Sequence, residues 1–378
     1  MKFLIVTHVV HVKNNQQYFA YEPYVREMNI WLKYVDELIV VAPLENNKPT
    51  VIDRFYEHNN IDFRKVSVFS LTSFKNGIAS VFKIPEIIFE IFKAMRQADH
   101  IHLRCPGNMG LLACIVQLFF PSKSKTAKYA GNWDSKSKQP WSYRLQKWIL
   151  SNTFLTRNMQ VLVYGEWPNQ SRNIKSFFTA TYVEKEKEVV RKAINPDAKI
   201  QLMFVGSLVE GKNPLYAIQL LEQLHQTNRN VFLDIYGEGV LKVSLENYIE
   251  VNNLEEYIVL HGNQNQEVLK KAYQQSHFVV LPSKSEGWPK AIAEGMFWGS
   301  VPLATSVSYI PDMLAQGKRG LLLEMDLEKD TAAINQLINN PMDFESKSEA
   351  AINWSRQYTT DFFEQQIKKL LNEPPSKN

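Results

Sequence analysis

This 378-residue chain has no apolar run long enough to cross a bilayer; the longest, Leu111 to Phe120, contains Gln117. The N-terminal segment Met1-Lys2-Phe3-Leu4-Ile5-Val6-Thr7 is too short for a signal peptide and has no small-residue cleavage site, so a buried strand and a cytoplasmic location are expected. Cysteine is scarce. Cys105 and Cys114 show neither metal-ligand nor redox spacing and read as reduced structural thiols. His100 and His102 share one face of a strand, but no third ligand follows at a suitable spacing, which argues against a metal site. Without a helix-turn-helix, a zinc module or an RNA-binding aromatic signature, nucleic acid is not expected as a partner. Internal repeats and low-complexity tracts are missing, and disorder is expected only over Glu373 to Asn378.

What is present describes a soluble globular protein with 45% hydrophobic and 22% charged residues, long enough for two domains that each bury a core. The net charge of +4 is unevenly spread. Residues 1–182 carry 23 Lys and Arg against 13 Asp and Glu, or +10, and the remainder carries 20 against 26, or −6. The basic front half favours a polyanionic partner, such as an anionic membrane surface or a phosphorylated acceptor. Nearly continuous apolar runs predict strands at Phe3 to Thr7, Glu37 to Ala42, Val66 to Leu71, His100 to Leu103, Lys125 to Tyr129 and Gln160 to Val163. Glu22 to Leu32 and Glu86 to Arg96 have helical spacing, which gives a doubly wound α/β domain over 1–182. A charged stretch, 183–198, reads as the linker to a second α/β domain over 199–354, and Asn353 to Leu371 reads as a polar helix.

The most informative segment is Ser285-Glu286-Gly287-Trp288-Pro289-Lys290-Ala291-Ile292-Ala293-Glu294-Gly295. Pro289 suits a first helical turn, so a helix is expected to begin near Trp288 after the short strand His277 to Pro282. A strand, tight loop and helix in that order point free backbone N–H groups at an anion such as phosphate. Glu294 then lies among Ala, Ile, Gly and Met, where an ionised carboxylate needs hydrogen-bond donors; a ribose diol would supply them. Glu286 could meet hydroxyls at the other end of the same ligand. A helix cap plus a surface glutamate is the ordinary alternative.

Further loops accompany this unit in order: Phe204-Val205-Gly206-Ser207 with Lys212-Asn213-Pro214, then Asp234-Ile235-Tyr236-Gly237-Glu238-Gly239, His261-Gly262-Asn263, and Gly299-Ser300-Val301-Pro302. From about residue 199 to 325 the series resembles the donor-binding half of retaining glycosyltransferase family 4. That resemblance implies a GT-B fold: two doubly wound Rossmann-like domains facing a central cleft, with a C-terminal helix, 355–378, crossing back to the N-terminal, acceptor-side domain. It implies a nucleoside diphosphate sugar as co-substrate, no metal cofactor, and transfer to a saccharide or lipid-linked saccharide in cell-surface polysaccharide or glycolipid synthesis. By the same resemblance Lys212 binds the diphosphate, Glu286 contacts the transferred sugar, the N–H groups of Gly287 and Trp288 approach the diphosphate, Glu294 holds the ribose, and Asn263 and Gln264 lie near the base.

Departures from the family pattern are specific. The arginine usual after the strand-ending Gly206 is Ser207, whose hydroxyl can bond a phosphate oxygen without neutralising it, so either another cation substitutes, with Lys290 and Arg319 as candidates, or turnover is weak. The first loop, Thr7 to Asn15, lacks the usual paired glycines, which leaves His8, His11 and Lys13 as acceptor-side candidates. Where many members have a histidine, this chain has Tyr129-Ala130-Gly131-Asn132-Trp133-Asp134; Asn132 could bond a sugar hydroxyl and Asp134 could accept the acceptor's proton. Asp134 as a turn residue and Trp133 as a core anchor remain the alternative. A D-x-D metal-binding motif is absent. Lys123, Lys125, Lys128, Trp141, Tyr143, Arg144, Lys147 and Trp148 suggest peripheral contact with the inner face of an anionic membrane. A nucleotide-sugar epimerase and a non-catalytic nucleotide-sugar-binding module stay open beside the transferase reading.

Overall fold

The computed structural model describes residues 1–67, 83–227 and 230–372. Two compact units result, one of Met1–Thr179 with the chain from Phe363 onward, the other Ala180–Phe362. The charged stretch 183–198 packs with the second unit: Glu186 accepts from Lys270 at 2.9 Å, and Lys192 donates to Tyr273 O at 2.6 Å.

Unit 1 is built on β1 (Lys2–Val6), β2 (His11–Asn14), β3 (Gln17–Tyr21), β4 (Glu37–Glu45), β5 (Asp53–Phe55), β6 (Ile61–Val66), β7 (His100–Cys105), β8 (Ser124–Tyr129), β9 (Met159–Tyr164) and β10 (Ile174–Phe177). They form one sheet in the order β10-β9-β8-β7-β1-β4-β2-β3-β5, with β6 also on β4. The central strands are parallel and buried on both faces, which explains the apolar runs of β1 and β4; β7 and β8 are equally buried although they carry His100, His102, Arg104, Lys125 and Lys128. Helix Glu22–Leu32 opens with a proline in its first turn and buries Val25, Met28, Trp31 and Leu32; helix Ile84–Gln97 buries Ile87, Ile91, Ala94 and Met95.

Unit 2 holds β11 (Ile200–Val205), β12 (Val231–Tyr236), β13 (Ile258–Gly262), β14 (Phe278–Leu281), β15 (Val301–Thr305) and β16 (Leu321–Leu323), all parallel, in the order β13-β12-β11-β14-β15-β16. Leu202, Phe204, Leu233, Ile235, Val280 and Leu303 join its core. The strand order reverses between β11 and β14, and that switch point is where open α/β sheets bind ligands, at the C-terminal ends of the strands. Both units are thus Rossmann-like.

Several expectations need correction. The predicted strand at Val66 to Leu71 is β6, which ends at Val66; its half-buried, mixed sequence Ile61-Asp62-Phe63-Arg64-Lys65-Val66 hides a strand from a search for continuous apolar runs. Residues 68–71 of that prediction, and the expected disorder of 373–378, lie outside the described residues. The first loop is not irregular throughout, since His11–Asn14 pairs with Gln17–Tyr21 in a hairpin turned through Asn15 and Gln16, both at positive φ. The helix placed over Asn353 to Leu371 is two helices, Pro341–Ser355 and Thr360–Asn372. Among the basic residues read as surface, Lys125 and Lys128 are buried: their ammonium groups turn inward to Phe120 O and Phe178 O.

Candidate functional site

Lys212 and Glu286 are 74 residues apart, and the switch point of unit 2 brings them together. The loop after β11 carries Gly206, Ser207 and Lys212 into the helix Pro214–Thr227; the loop after β14 carries Glu286, Gly287 and Trp288 into the helix Lys290–Phe297. Because β11 and β14 are neighbours, the two loops run side by side, joined by Lys284 N–H donating to Gly211 O at 2.8 Å. Across them Lys212 Nζ donates to Glu286 Oε1 at 2.5 Å. The carboxylate is 7% exposed and the lysine side chain 31% exposed, so the charge pair has one open side.

Neighbouring loops complete the floor. Gly206 N–H donates to Tyr236 O at 3.0 Å and Gly237 N–H to Gly262 O at 2.9 Å. A Cβ on Gly237, at φ +145°, would sit 1.9 Å from Gly206 O, so only glycine permits this approach of the loops after β11 and β12. Ser207 and Asn263 are exposed, while Gln264 donates to His261 O at 2.8 Å. The helix after β14 starts at Lys290, with Pro289 as its cap residue; this corrects the expected start near Trp288, and Trp288 instead packs against Tyr309, Trp354 and Tyr358 with ring centroids 5.3–6.2 Å apart. Arg319, a candidate substitute for the missing arginine, donates to Met313 O at 2.8 Å and lies over the Trp354 ring. Lys290 is half-buried in the first turn.

Glu294 lies one helical stretch further on, half-buried, and already has a partner in this unit: Thr181 Oγ1 donates to its Oε1 at 2.7 Å. Burial, with Glu294 nearby, pushes the Tyr273 phenol well above its usual range, so a neutral hydroxyl faces the carboxylate. No sequence signal marked Thr181, which is 113 residues from Glu294 in the chain.

In unit 1 the candidates are dispersed in role. His11 is buried with both ring nitrogens engaged, by Val9 O and the Tyr56 hydroxyl at 2.8 Å each, and desolvation lowers its pKa to about 4; it is a satisfied core histidine. His8 is exposed with its ring against Gly107, and Lys13 is exposed above the Tyr18 ring. Asn132 is buried, its Oδ1 accepting Asp134 N–H at 2.8 Å; Asp134 Oδ1 in turn accepts Lys136 N–H at 2.8 Å. Those bonds make a turn, with Trp133 anchored in the core. His100 and His102 both meet Thr126 Oγ1 at 2.9 Å and are buried. Cys105 and Cys114 are free and buried, with their sulfurs 3.8 Å apart.

Comparisons with known proteins find likenesses to glycosyltransferases. A family model described as glycosyl transferases group 1 matches residues 185–357, within unit 2. An uncharacterized glycosyltransferase of Methanocaldococcus jannaschii is 26% identical over 172 residues, 45% of this chain and 47% of that one. The poly(ribitol-phosphate) alpha-N-acetylglucosaminyltransferase of Staphylococcus aureus is 29% identical over 171 residues, 44% of this chain and 34% of that one. The chain thus matches less than half the length of these relatives. Over nearly the whole chain the fold is similar to HepE of Anabaena in complex with UDP and glucose (TM-score 0.68, 13% identity, 98% of this chain and 99% of that one) and to WaaG, a glycosyltransferase involved in lipopolysaccharide biosynthesis (TM-score 0.68, 11% identity, 99% and 100%). The fold is GT-B.

Proposed function

We propose that the protein is a glycosyltransferase of the family 4 type, moving a sugar from a nucleoside diphosphate sugar to a saccharide or lipid-linked saccharide with retention of anomeric configuration and without a metal. The observation that carries the reading is the Lys212–Glu286 pair at the switch point of unit 2, where a cation and a carboxylate are presented together at the ends of two loops that each lead into a helix. Lys212 neutralises charge developing on the departing diphosphate, and the N-terminal turns of Pro214–Thr227 and Lys290–Phe297 add backbone N–H donors. Glu286 holds sugar hydroxyls, and Glu294, positioned by Thr181, holds the ribose. Ser207 and Lys290 line the phosphate side, and Asn263 and Gln264 the base. Of the acceptor-side candidates, exposed His8 and Lys13 fit that role better than His11, whose nitrogens are occupied.

Among the described residues no helix is long and apolar enough to cross a membrane. Peripheral contact with an anionic membrane is supported by Trp141, Arg144 and Trp148, all exposed and spaced to share one face of the helix Trp141–Ser151. Incubation with uridine, guanosine and adenosine diphosphate sugars tests the activity. Nucleoside diphosphate released above background, with the product retaining the donor's anomeric configuration, supports the proposal. A donor recovered only as its epimer, or bound and never consumed, overturns it.

A further inference from the structure

We propose that Glu286 is the resting counter-ion of Lys212, and that this pairing makes the site favour a sugar-loaded nucleoside diphosphate over the spent diphosphate; the inference rests on the nucleotide-sugar reading above. Glu286 is 7% exposed, and Lys212 Nζ lies 2.5 Å from its Oε1. A diphosphate that approaches Lys212 therefore meets an ammonium already satisfied by a buried carboxylate. Phosphate oxygens placed on Nζ bring negative charge against Glu286, which is buried and has little water to screen it. A sugar on the diphosphate changes this balance. Its hydroxyls donate to Glu286, so the carboxylate keeps a full set of partners while Lys212 turns to the phosphate. After transfer the hydroxyls leave with the product, Glu286 reclaims Lys212, and the diphosphate is expelled. The same pair that admits the donor thus promotes release of its remnant.

Calorimetric titration of the full chain separates these effects. The probes are inorganic pyrophosphate, then UDP, GDP and ADP, then their glucose derivatives, applied to the wild type, Glu286→Gln, Lys212→Gln and the double variant. Glutamine keeps the volume and removes the charge. In Glu286→Gln, pyrophosphate and the preferred nucleoside diphosphate are expected to bind about tenfold more tightly, with no gain for the sugar nucleotide. In the Lys212→Gln background the same change should alter diphosphate affinity less than about twofold, because the competition it relieves is gone. If Lys212→Gln alone fails to fold with a buried unpaired carboxylate, the double variant is compared with Glu286→Gln instead: it should lose the tightened diphosphate binding, because that gain acts through the freed Lys212, and an equal affinity in the two overturns the pairing role. A diphosphate affinity in Glu286→Gln that is unchanged or weaker overturns the pairing role while leaving the nucleotide site intact. A wild type that binds neither pyrophosphate nor any of the nucleotides overturns both.

Discussion

Lowering the pH should unfold unit 1 through its buried histidines. Desolvation depresses His11 and His100 from 6.5 to about 4, and His102, which also faces Arg104, His100 and Lys128, lies well below its usual value. All three are neutral in the fold. The unfolded chain takes up a proton near pH 6.5 that the folded state refuses until about pH 4, so stability is full above 6.5 and is lost as the pH falls toward 4. At pH 5 the difference for one such histidine is on the order of 2 kcal/mol, so His11 and His100 together remove about 4 kcal/mol between pH 7 and pH 5. That is a large share of a domain stability of about 5–15 kcal/mol. Carboxylates also titrate in this range, and His100→Gln isolates the histidine contribution, since glutamine can still bond Thr126 Oγ1. Urea unfolding at pH 7, 6 and 5, fitted for two units, is the assay. The wild type should lose about 2 kcal/mol more than His100→Gln over that interval; equal losses in the two proteins would refute the assignment of His100 as a neutral buried group.

Gly237→Ala places a methyl on Gly206 O, so the loop bearing Lys212 must shift; overpacking of about 1–3 kcal/mol should lower the melting temperature by about 2–4 °C per kcal/mol and weaken nucleotide binding. Unchanged affinity would show that the Gly206 loop does not touch the nucleotide. Glu294→Ala should weaken nucleotide binding by about 10–100-fold, the value of a charged hydrogen-bonded contact of about 1.5–3 kcal/mol, with a smaller effect from Thr181→Val; an unaltered dissociation constant would remove ribose as its partner. Transfer or donor hydrolysis should persist in excess chelator because Lys212 and two helix N-termini supply the positive charge, and loss restored by magnesium or manganese would contradict that.

The parallel cores were legible where strands buried on both faces are written as apolar runs: Glu37 to Ala42 marks β4 to within a few residues. Strands at a solvated edge were not. β2, β3 and β5 carry mixed polar sequences, and β5 is placed by a contact distant in the chain, Phe19 opposite Phe55. Lysines illustrate the same limit, since charge in the sequence does not tell that Lys128 is buried against aromatic rings and donates to the Phe178 carbonyl. In the site, Lys212 and Glu286 could be picked out from the loops they occupy, but their mutual contact could not, because it depends on the adjacency of β11 and β14. Thr181 was invisible because its contact with Glu294 spans 113 residues of chain.

The most direct test of the account is the melting temperature of the full chain with and without uridine, guanosine and adenosine diphosphate sugars, in the wild type and in Glu286→Ala. A ligand at 100 times its dissociation constant adds about 2.7 kcal/mol to the state that binds it. One class of nucleotide sugar should therefore raise the melting temperature of the wild type by about 5 °C or more and raise that of Glu286→Ala less. No shift with any of these ligands, or an equal shift in both proteins, would contradict the placement of a nucleotide-sugar site at Lys212 and Glu286.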